Sequence, residues 1–303
     1  DPRLRDIPGL APRITPNELH YTVDEYLIKP FVDPEAWRLE VRGHVDRPFT
    51  LTYEELLDLE SVEQPHTLQC ISNEVGGPLI GTALWTGVPL RGLLARAGVK
   101  PGAFDVVFRS VDDYSDSIPL DRALDPGTLL AYLMNGRTLP REHGYPLRVL
   151  VPEIYGIKNV KWLRTIEVAT FDFRGYWQER GWSDLAIVNT TARIDVPDRF
   201  RAVRRQSGEV LVAGIANASV RGIAKVEVSF DRGATWTAAD LEAPAGPFTW
   251  RRWSLRWRPP GTGRHSVTVR ASDGAGRTQS VTKRPPFPDG STGYDEFDVA
   301  VEA

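Results

Sequence analysis

The sequence predicts an α+β domain over residues 1–190 followed by an all-β sandwich over residues 191–303, and three observations carry that expectation. A chain of 303 residues exceeds what one compact core usually needs, so two domains are the default. Helix and strand signals are mixed in the first part, whereas only short alternating strands follow the segment near residue 190. Nine Trp and 24 Pro describe rigid, loop-rich modules rather than a helical bundle.

In chain order, Trp37, Leu39 and Val41 alternate with Arg38, Glu40 and Arg42, the period-two pattern of a half-buried strand. Thr52 and Glu55 have the spacing of a capping box ahead of Leu56 and Leu57, which predicts a helix to about residue 59. Pro89 announces a second helix in its first turn, with Leu90, Leu93, Leu94 and Ala97 on one face and Gly98 as its stop. Residues 147–151 and 162–168 read as buried strands, the arms of a hairpin joined by the polar loop 152–161. Residues 190–208 are polar, arginine-rich and contain Pro197, and fit a linker. Strands are then expected at 210–213, at Val226-Val228-Phe230, at Trp253-Leu255-Trp257 and at Val267-Val269-Ala271. Turns at Asp231-Arg232-Gly233, Pro259-Pro260-Gly261 and Asp273-Gly274-Ala275-Gly276 separate them at the spacing of a sandwich.

Composition narrows the function classes. With 41% hydrophobic residues, 25% charged residues and a formal net charge of -3, nothing calls for a nucleic-acid or membrane partner. No apolar stretch approaches the roughly 20 residues that span a bilayer. The start Asp1-Pro2-Arg3 lacks a signal-peptide core, and opening on Asp rather than Met leads us to expect a processed form.

Cys70 is the only cysteine, set in the polar run Thr67-Leu68-Gln69-Cys70-Ile71-Ser72-Asn73 ahead of Gly76-Gly77. A disulfide within the chain is excluded. A single thiol can be a nucleophile, a redox centre, a soft-metal ligand or simply a small core residue. Further along, Arg141, His143, Arg148, Lys158 and Lys161 concentrate cations in one short region of an otherwise slightly acidic chain. Such cations can converge on an anionic group, typically a phosphate, or form a solvated basic face.

Ser117-Ile118-Pro119-Leu120, Leu130-Ala131-Tyr132-Leu133-Met134-Asn135-Gly136, His143-Gly144-Tyr145-Pro146-Leu147-Arg148 and Val160-Lys161-Trp162-Leu163 together resemble the sulfite oxidase family of molybdenum enzymes. The Leu68-Gln69-Cys70 run with Asn73, and Thr15-Pro16-Asn17-Glu18-Leu19, fall in the same order, so the resemblance covers most of residues 15–182. It implies a molybdopterin-binding catalytic domain, followed by an immunoglobulin-like domain of the kind used for dimerisation. Val226–Val228–Phe230, Trp236, Pro288-Asp289-Gly290 and Gly293-Tyr294 resemble that second module.

On this resemblance Cys70 is the protein ligand of a molybdenum–molybdopterin centre performing two-electron oxo transfer. Asn17, His20, Tyr21, Ser110, Asp113, His143, Arg148, Lys158, Asn159, Val160 and Lys161 are implied around the cofactor, with Cys70, Tyr21 and Trp182 as the catalytic residues and Trp182 beside the metal. One cysteine cannot supply a Cys-x-x-Cys-His haem attachment, so no haem and a separate electron-transfer partner are expected. Family members are frequently exported, which gives an expectation of an extracytoplasmic site. The departures concern substrate. Glu74 and Val75 stand where sulfite-oxidising members carry two arginines, Val23-Asp24-Glu25 replaces an Arg-Asn-His triplet, and Trp182 replaces a tyrosine. A doubly charged anion needs cationic partners, so a small molecule other than sulfite, such as a sulfoxide or another S- or N-oxide, is expected. Arg109 or Arg174 would have to replace those cations in a true sulfite oxidase.

Two other classes compete. A cysteine hydrolase would pair Cys70 with His66 or His143, and a binding module would keep the first domain as a relic. Trp236, Trp250, Trp253 and Trp257 are candidates for a homodimer patch or for the sandwich core, with alternation placing Trp253 and Trp257 in the core. The basic runs 199–205 and 251–258 offer a face to an acidic carrier or to solvent.

Overall fold

The computed structural model describes residues 4–24 and 28–302; Asp1, Pro2, Arg3 and Glu25, named above, lie outside the described residues. Two compact units emerge. The mixed unit comprises Pro16–Ile71 and Ala83–Ile187, and the all-β unit comprises the described residues up to Thr15, Ser72–Thr82 and the chain from Val188 onward.

The mixed unit runs β1 (Arg38–Gly43), β2 (Phe49–Thr52), α1 (Tyr53–Leu57), β3 (Val62–Gln69), β4 (Ile80–Pro89), α2 (Leu90–Ala97), β5 (Asp105–Ser110), β6 (Ser115–Pro119), α3 (Leu120–Ala123), β7 (Leu129–Met134), β8 (Arg137–Thr138), β9 (Arg148–Leu150) and β10 (Leu163–Ala169). The expected alternation forms β1, with Leu39 and Val41 buried, while Trp37 just before it donates its indole N–H to the Leu163 carbonyl at 3.0 Å. The capping box is present: Glu55 N donates to Thr52 Oγ1 at 3.1 Å and Thr52 N to Glu55 Oε2 at 2.8 Å. The helix it starts is shorter than expected and stops at Leu57. In α2 Pro89 is the residue before the helix rather than part of its first turn, and Gly98 ends it in the left-handed region at φ +69°.

These strands build two sheets, ordered β2-β1-β10-β5-β6 and β3-β4-β7-β8, with β9 added to β7. The expected hairpin of residues 147–168 does not exist. β9 pairs with β7, from Leu129↔Leu150 to Ala131↔Arg148, while β10 lies between β1 and β5 in the other sheet. Both segments are so largely apolar that nothing in their pattern names a partner. The polar loop between them therefore passes from one sheet to the other. One core cluster joins Leu68, Ala83, Trp85, Leu129, Ala131, Met134, Leu139 and Leu150, with Tyr21 and Tyr145 packed against it.

The all-β unit contains β11 (Thr191–Val196), β12 (Val203–Arg204), β13 (Val210–Asn217), β14 (Ile223–Ser229), β15 (Thr237–Ala238), β16 (Asp240–Leu241), β17 (Arg251–Trp257), β18 (Gly263–Asp273) and β19 (Asp295–Glu302). Its sheets are ordered β11-β13-β17-β16 and β12-β19-β18-β14-β15. Ala192, Ile194, Val212 and Trp253 from the first meet Val226, Val228, Val269 and Val299 from the second in one apolar cluster, the signature of a sandwich. Trp253 and Trp257 are core residues, the latter stacked on Phe230 at 4.3 Å. Trp250 is also buried, and half-buried Trp236 lies under the Arg270 guanidinium at 4.0 Å.

The segment read as a linker is instead structured. β11 is an edge strand paired with β13 from Thr191↔Asn217 to Ile194↔Gly214, and β12 pairs with β19. Ala192 and Ile194 point inward between Thr191, Arg193 and Asp195, a period-two pattern obscured by charges of the kind that protect sheet edges. The basic runs are largely neutralised: Arg199 pairs with Asp295 at 3.1 Å, Arg252 with Glu242 at 2.7 Å and Arg258 with Glu209 at 2.9 Å. Among the described residues no helix is long and apolar enough to cross a membrane.

Replacing Ile194 with Ala is expected to destabilise the sandwich by about 2–4 kcal/mol, the usual cost of truncating a buried aliphatic chain. Denaturant titration reads this, and a neutral substitution would mean that residues 191–196 hang outside the sheet.

Candidate active site

Cys70 follows β3 directly, in no disulfide and only 8% exposed. The strand delivers it from a buried half made of His66, Thr67, Leu68 and Gln69. On the same sheet, Gly87 of β4, Ala131 of β7 and Arg148 of β9 form one cross-strand row. At Gly87 a Cβ would stand 2.3 Å from the Leu130 carbonyl, so the row closes tightly on β7, and the Arg148 guanidinium lies 5.2 Å from the Trp85 ring centre. Arg148 donates to the His143 carbonyl at 3.1 Å and to the Asn159 carbonyl at 3.3 Å. Its Nε is buried with no acceptor, and among the described residues no carboxylate forms an ion pair with it.

This charge polarises its surroundings. Burial lowers the guanidinium to about 10, which leaves it charged at neutral pH. Burial, then the field of Arg148, drives the His66 imidazole down to about 3. Burial, then the proximity of Cys70, pushes the Tyr21 hydroxyl well above its ordinary value. Tyr21 is therefore a protonated donor and His66 a neutral ring. An imidazole this weakly basic is a poor general base, which argues against pairing it with Cys70 in a hydrolase.

A second tier holds these groups. Asn17 lies in the short 3₁₀ turn Asn17–Leu19, accepts from Asn135 Nδ2 at 2.7 Å and donates its own Nδ2 to the Met134 carbonyl at 3.2 Å. Its carbonyl accepts from His143 Nε2 at 3.1 Å, so that nitrogen carries the proton. The His20 ring stacks on Tyr21 at 5.2 Å and meets His143 and Trp85 edge-on at 5.3 and 6.0 Å. Asn17, His20, Tyr21, His143 and Arg148, dispersed in sequence, are thus one cluster.

The loop between β9 and β10 closes it. Asn159 Oδ1 accepts from Val151 N at 2.8 Å, and the Val160 carbonyl from Val149 N at 2.9 Å. Gly156 faces the Tyr21 hydroxyl so closely that a Cβ there would stand 2.8 Å from it. Lys161 pairs with Asp24, donates to the Val23 carbonyl at 3.1 Å and lies over the Trp162 ring at 4.5 Å, and burial lowers its ammonium to about 8. Lys158 is turned elsewhere, toward Asp116 and Asp184 at 2.8 and 3.2 Å.

Other expected residues lie apart from these contacts. Ser110 ends β5, where its hydroxyl accepts from Asp112 N at 3.4 Å. Asp113 occupies the β5–β6 turn at φ +68°, with its side chain 85% exposed and paired with Arg164 at 3.1 Å. Trp182 packs edge-on against Trp177 at 6.4 Å. Glu74 is exposed and Val75 half-buried, both in the Ser72–Thr82 segment of the all-β unit. Arg109 is paired with Glu167 at 3.2 Å, and Arg174 with Asp172 and Asp184 at 2.6 and 2.8 Å. The sequence did not single out Trp85 or Gly156; their roles depend on cross-strand neighbours that no local pattern records.

Residues 26–177 match the family described as the oxidoreductase molybdopterin binding domain, and residues 185–284 match the Mo-co oxidoreductase dimerisation domain. Mitochondrial sulfite oxidase of Rattus norvegicus is 32% identical over 318 residues, 90% of this chain and 58% of its own length. A nitrate reductase of Hordeum vulgare is 32% identical over 327 residues, 88% of this chain and 37% of its own. The chain thus spans less than two thirds of these relatives. The sulfane dehydrogenase SoxCD from Paracoccus pantotrophus shares the fold, with a TM-score of 0.84 over 97% of this chain and 85% of that one at 23% identity.

His66 gives a pH test. Folded protein keeps the imidazole neutral down to about 3, whereas the unfolded ring protonates near 6.5, so stability present above that window is lost as pH falls through it. Replacing His66 with Gln should reduce the slope of stability against pH between about 4 and 6 by about 1.4 kcal/mol per pH unit. Denaturant titrations across this range should show it, and parallel slopes would place His66 in water.

Proposed function

The chain belongs to the sulfite oxidase family of molybdopterin oxidoreductases, and from that premise we propose that Cys70 is the protein ligand of a molybdenum–molybdopterin centre performing two-electron oxo transfer. The observation that carries this reading is Arg148. A buried guanidinium without a carboxylate, with one donor still unsatisfied, is costly by itself and suited to an anionic group such as the phosphate of the pterin. The donor set fits: a thiolate is a soft, electron-rich ligand, and metal binding holds it deprotonated.

When bound, the cofactor supplies the oxo-transfer and redox chemistry; the chain binds, orients and shields. Arg148 holds the anionic end, Lys161 borders it while paired with Asp24, and His143 and the Asn159-Val160 backbone lie around the organic part. Asn17 and His20 keep His143 and Tyr21 in place, and Tyr21 presents a protonated hydroxyl beside Cys70. Ser110, Asp113 and Trp182 remain assigned through the resemblance alone. The all-β unit is read as an immunoglobulin-like dimerisation module, which makes a homodimer the expected assembly, and a separate protein exchanges single electrons with the centre.

The substrate we favour is a sulfoxide or related S- or N-oxide rather than sulfite. Glu74 and Val75 bring no cation, and Arg109 and Arg174 are already paired with carboxylates. Sulfite oxidation is the second reading, favoured by the names of the most similar relatives.

Protein from a molybdenum-replete, cofactor-competent host is expected to carry about one molybdenum per chain through its single thiolate. Cys70→Ser should keep the fold but lose turnover; elemental analysis beside circular dichroism tests this, and a fully active Cys70→Ala would remove the ligand role. Loss of a buried cationic partner costs about 2–5 kcal/mol, so kcat/KM for sulfite should fall at least about 30-fold below that for a neutral sulfoxide assayed with a reduced dye. Efficient sulfite oxidation would reverse the substrate assignment.

A further inference from the structure

We infer that Lys158 is a positioning residue, the centre of a buried ionic clamp with Asp116 and Asp184 that fixes the cofactor loop and ties it to the segment carrying Trp182. This rests on the assignment of residues 156–161 to the cofactor. Lys158 is 1% exposed and Asp116 0%. The three donors of its ammonium are all used, by Asp116 Oδ1 at 2.8 Å, the Ser117 carbonyl at 2.9 Å and Asp184 Oδ1 at 3.2 Å. Arg174 adds a second cation from the outside, 2.8 Å from Asp184. With Asp172, which also pairs with Arg174 at 2.6 Å, the two cations face three carboxylates, the reverse of the situation at Arg148.

An ammonium so saturated has nothing left for a phosphate. What it does instead follows from its neighbours. Lys158 closes the turn Gly156–Lys158, and the Tyr114 hydroxyl donates to the Ile157 carbonyl in the same turn at 2.6 Å. β6, which contributes Asp116 and Ser117, and Tyr114 just before it thereby anchor the turn by three separate bonds. The next two residues are Asn159, whose carbonyl receives Arg148, and Val160, whose carbonyl receives Val149. Asp184 stands two residues from Trp182. Gln178, with its amide oriented to donate, reaches both Asp116 oxygens at 3.2 Å. The clamp therefore binds three pieces of chain, β6, the 156–161 loop and residues 178–184, at a single buried point.

Hydrogen exchange tests the clamp directly, together with the pterin content of purified holoprotein. The Lys158 and Asn159 amides bond to the Tyr155 and Gly156 carbonyls. In Asp116→Asn and in Lys158→Met their exchange should rise about tenfold or more, as expected when a local opening becomes easier, and pterin retention should fall. The double variant Asp116→Leu/Lys158→Met removes both charges together and guards against misfolding from a lone buried charge. Its exchange should rise by less than the product of the single effects, because one interaction is being removed twice. Unchanged exchange, independent effects or a better-loaded Asp116→Asn, as expected if Lys158 were released to grip phosphate, would each overturn the inference. If wild-type protein binds no pterin, the cofactor reading fails while the exchange data still judge the clamp.

Discussion

The mixed unit is organised around one uncompensated positive charge. Removing a guanidinium from water costs several kcal/mol unless dipoles or an anion replace the lost hydration. Arg148 receives two carbonyls, from His143 and Asn159, and the face of Trp85. To serve it, the 3₁₀ turn Arg141–His143 must lie on one side and the β9–β10 loop on the other. Burial, and after it the same charge, keeps His66 neutral. Much of the local architecture is thus the set of positions that this side chain requires.

Lys158 shows the opposite solution to the same problem. Ten residues from Arg148 and equally buried, it is fully paired. The contrast separates two uses of a buried cation: a paired one fastens segments together, while one that lacks a carboxylate and an acceptor retains electrostatic capacity for something not made of protein. The cation cluster of residues 141–161 looked uniform in sequence because charge is visible there and pairing is not. Asp116 and Asp184 are distant in the chain, and only the fold brings them to Lys158. Asp113, by contrast, was drawn toward the site by its place in a motif, yet its side chain points to solvent with Arg164.

Legibility followed the range of the interaction. Local rules were readable: the alternation that became β1, the Thr52–Glu55 capping box and the Gly98 helix stop each involve residues close in sequence. Partner choice was not. Residues 147–151 and 162–168 were recognisable as buried strands, but apolar side chains on both faces carry no register, and the two strands joined different sheets. Residues 191–196 failed for the converse reason, because Arg193 and Asp195 on an edge strand outweighed the inward pair Ala192 and Ile194. At the site, Cys70 stood out by being unique in type, whereas Trp85 and Gly156 matter for where they lie: one offers a ring to Arg148, the other offers Tyr21 the absence of a side chain.

The same charge accounting supports the substrate proposed for the site. Arg109, Arg174 and Lys158 are all neutralised by carboxylates, and Lys161 is held by Asp24, leaving Arg148 as the buried cation in excess within the described part of the mixed unit. If the phosphate of a pterin takes that excess, little positive potential remains in the unit for a second dianion. A substrate recognised there would then rely on shape, on neutral donors such as the Tyr21 hydroxyl and on exclusion of water. Those are weak means of holding sulfite and adequate means of holding a polar but uncharged S–O or N–O group.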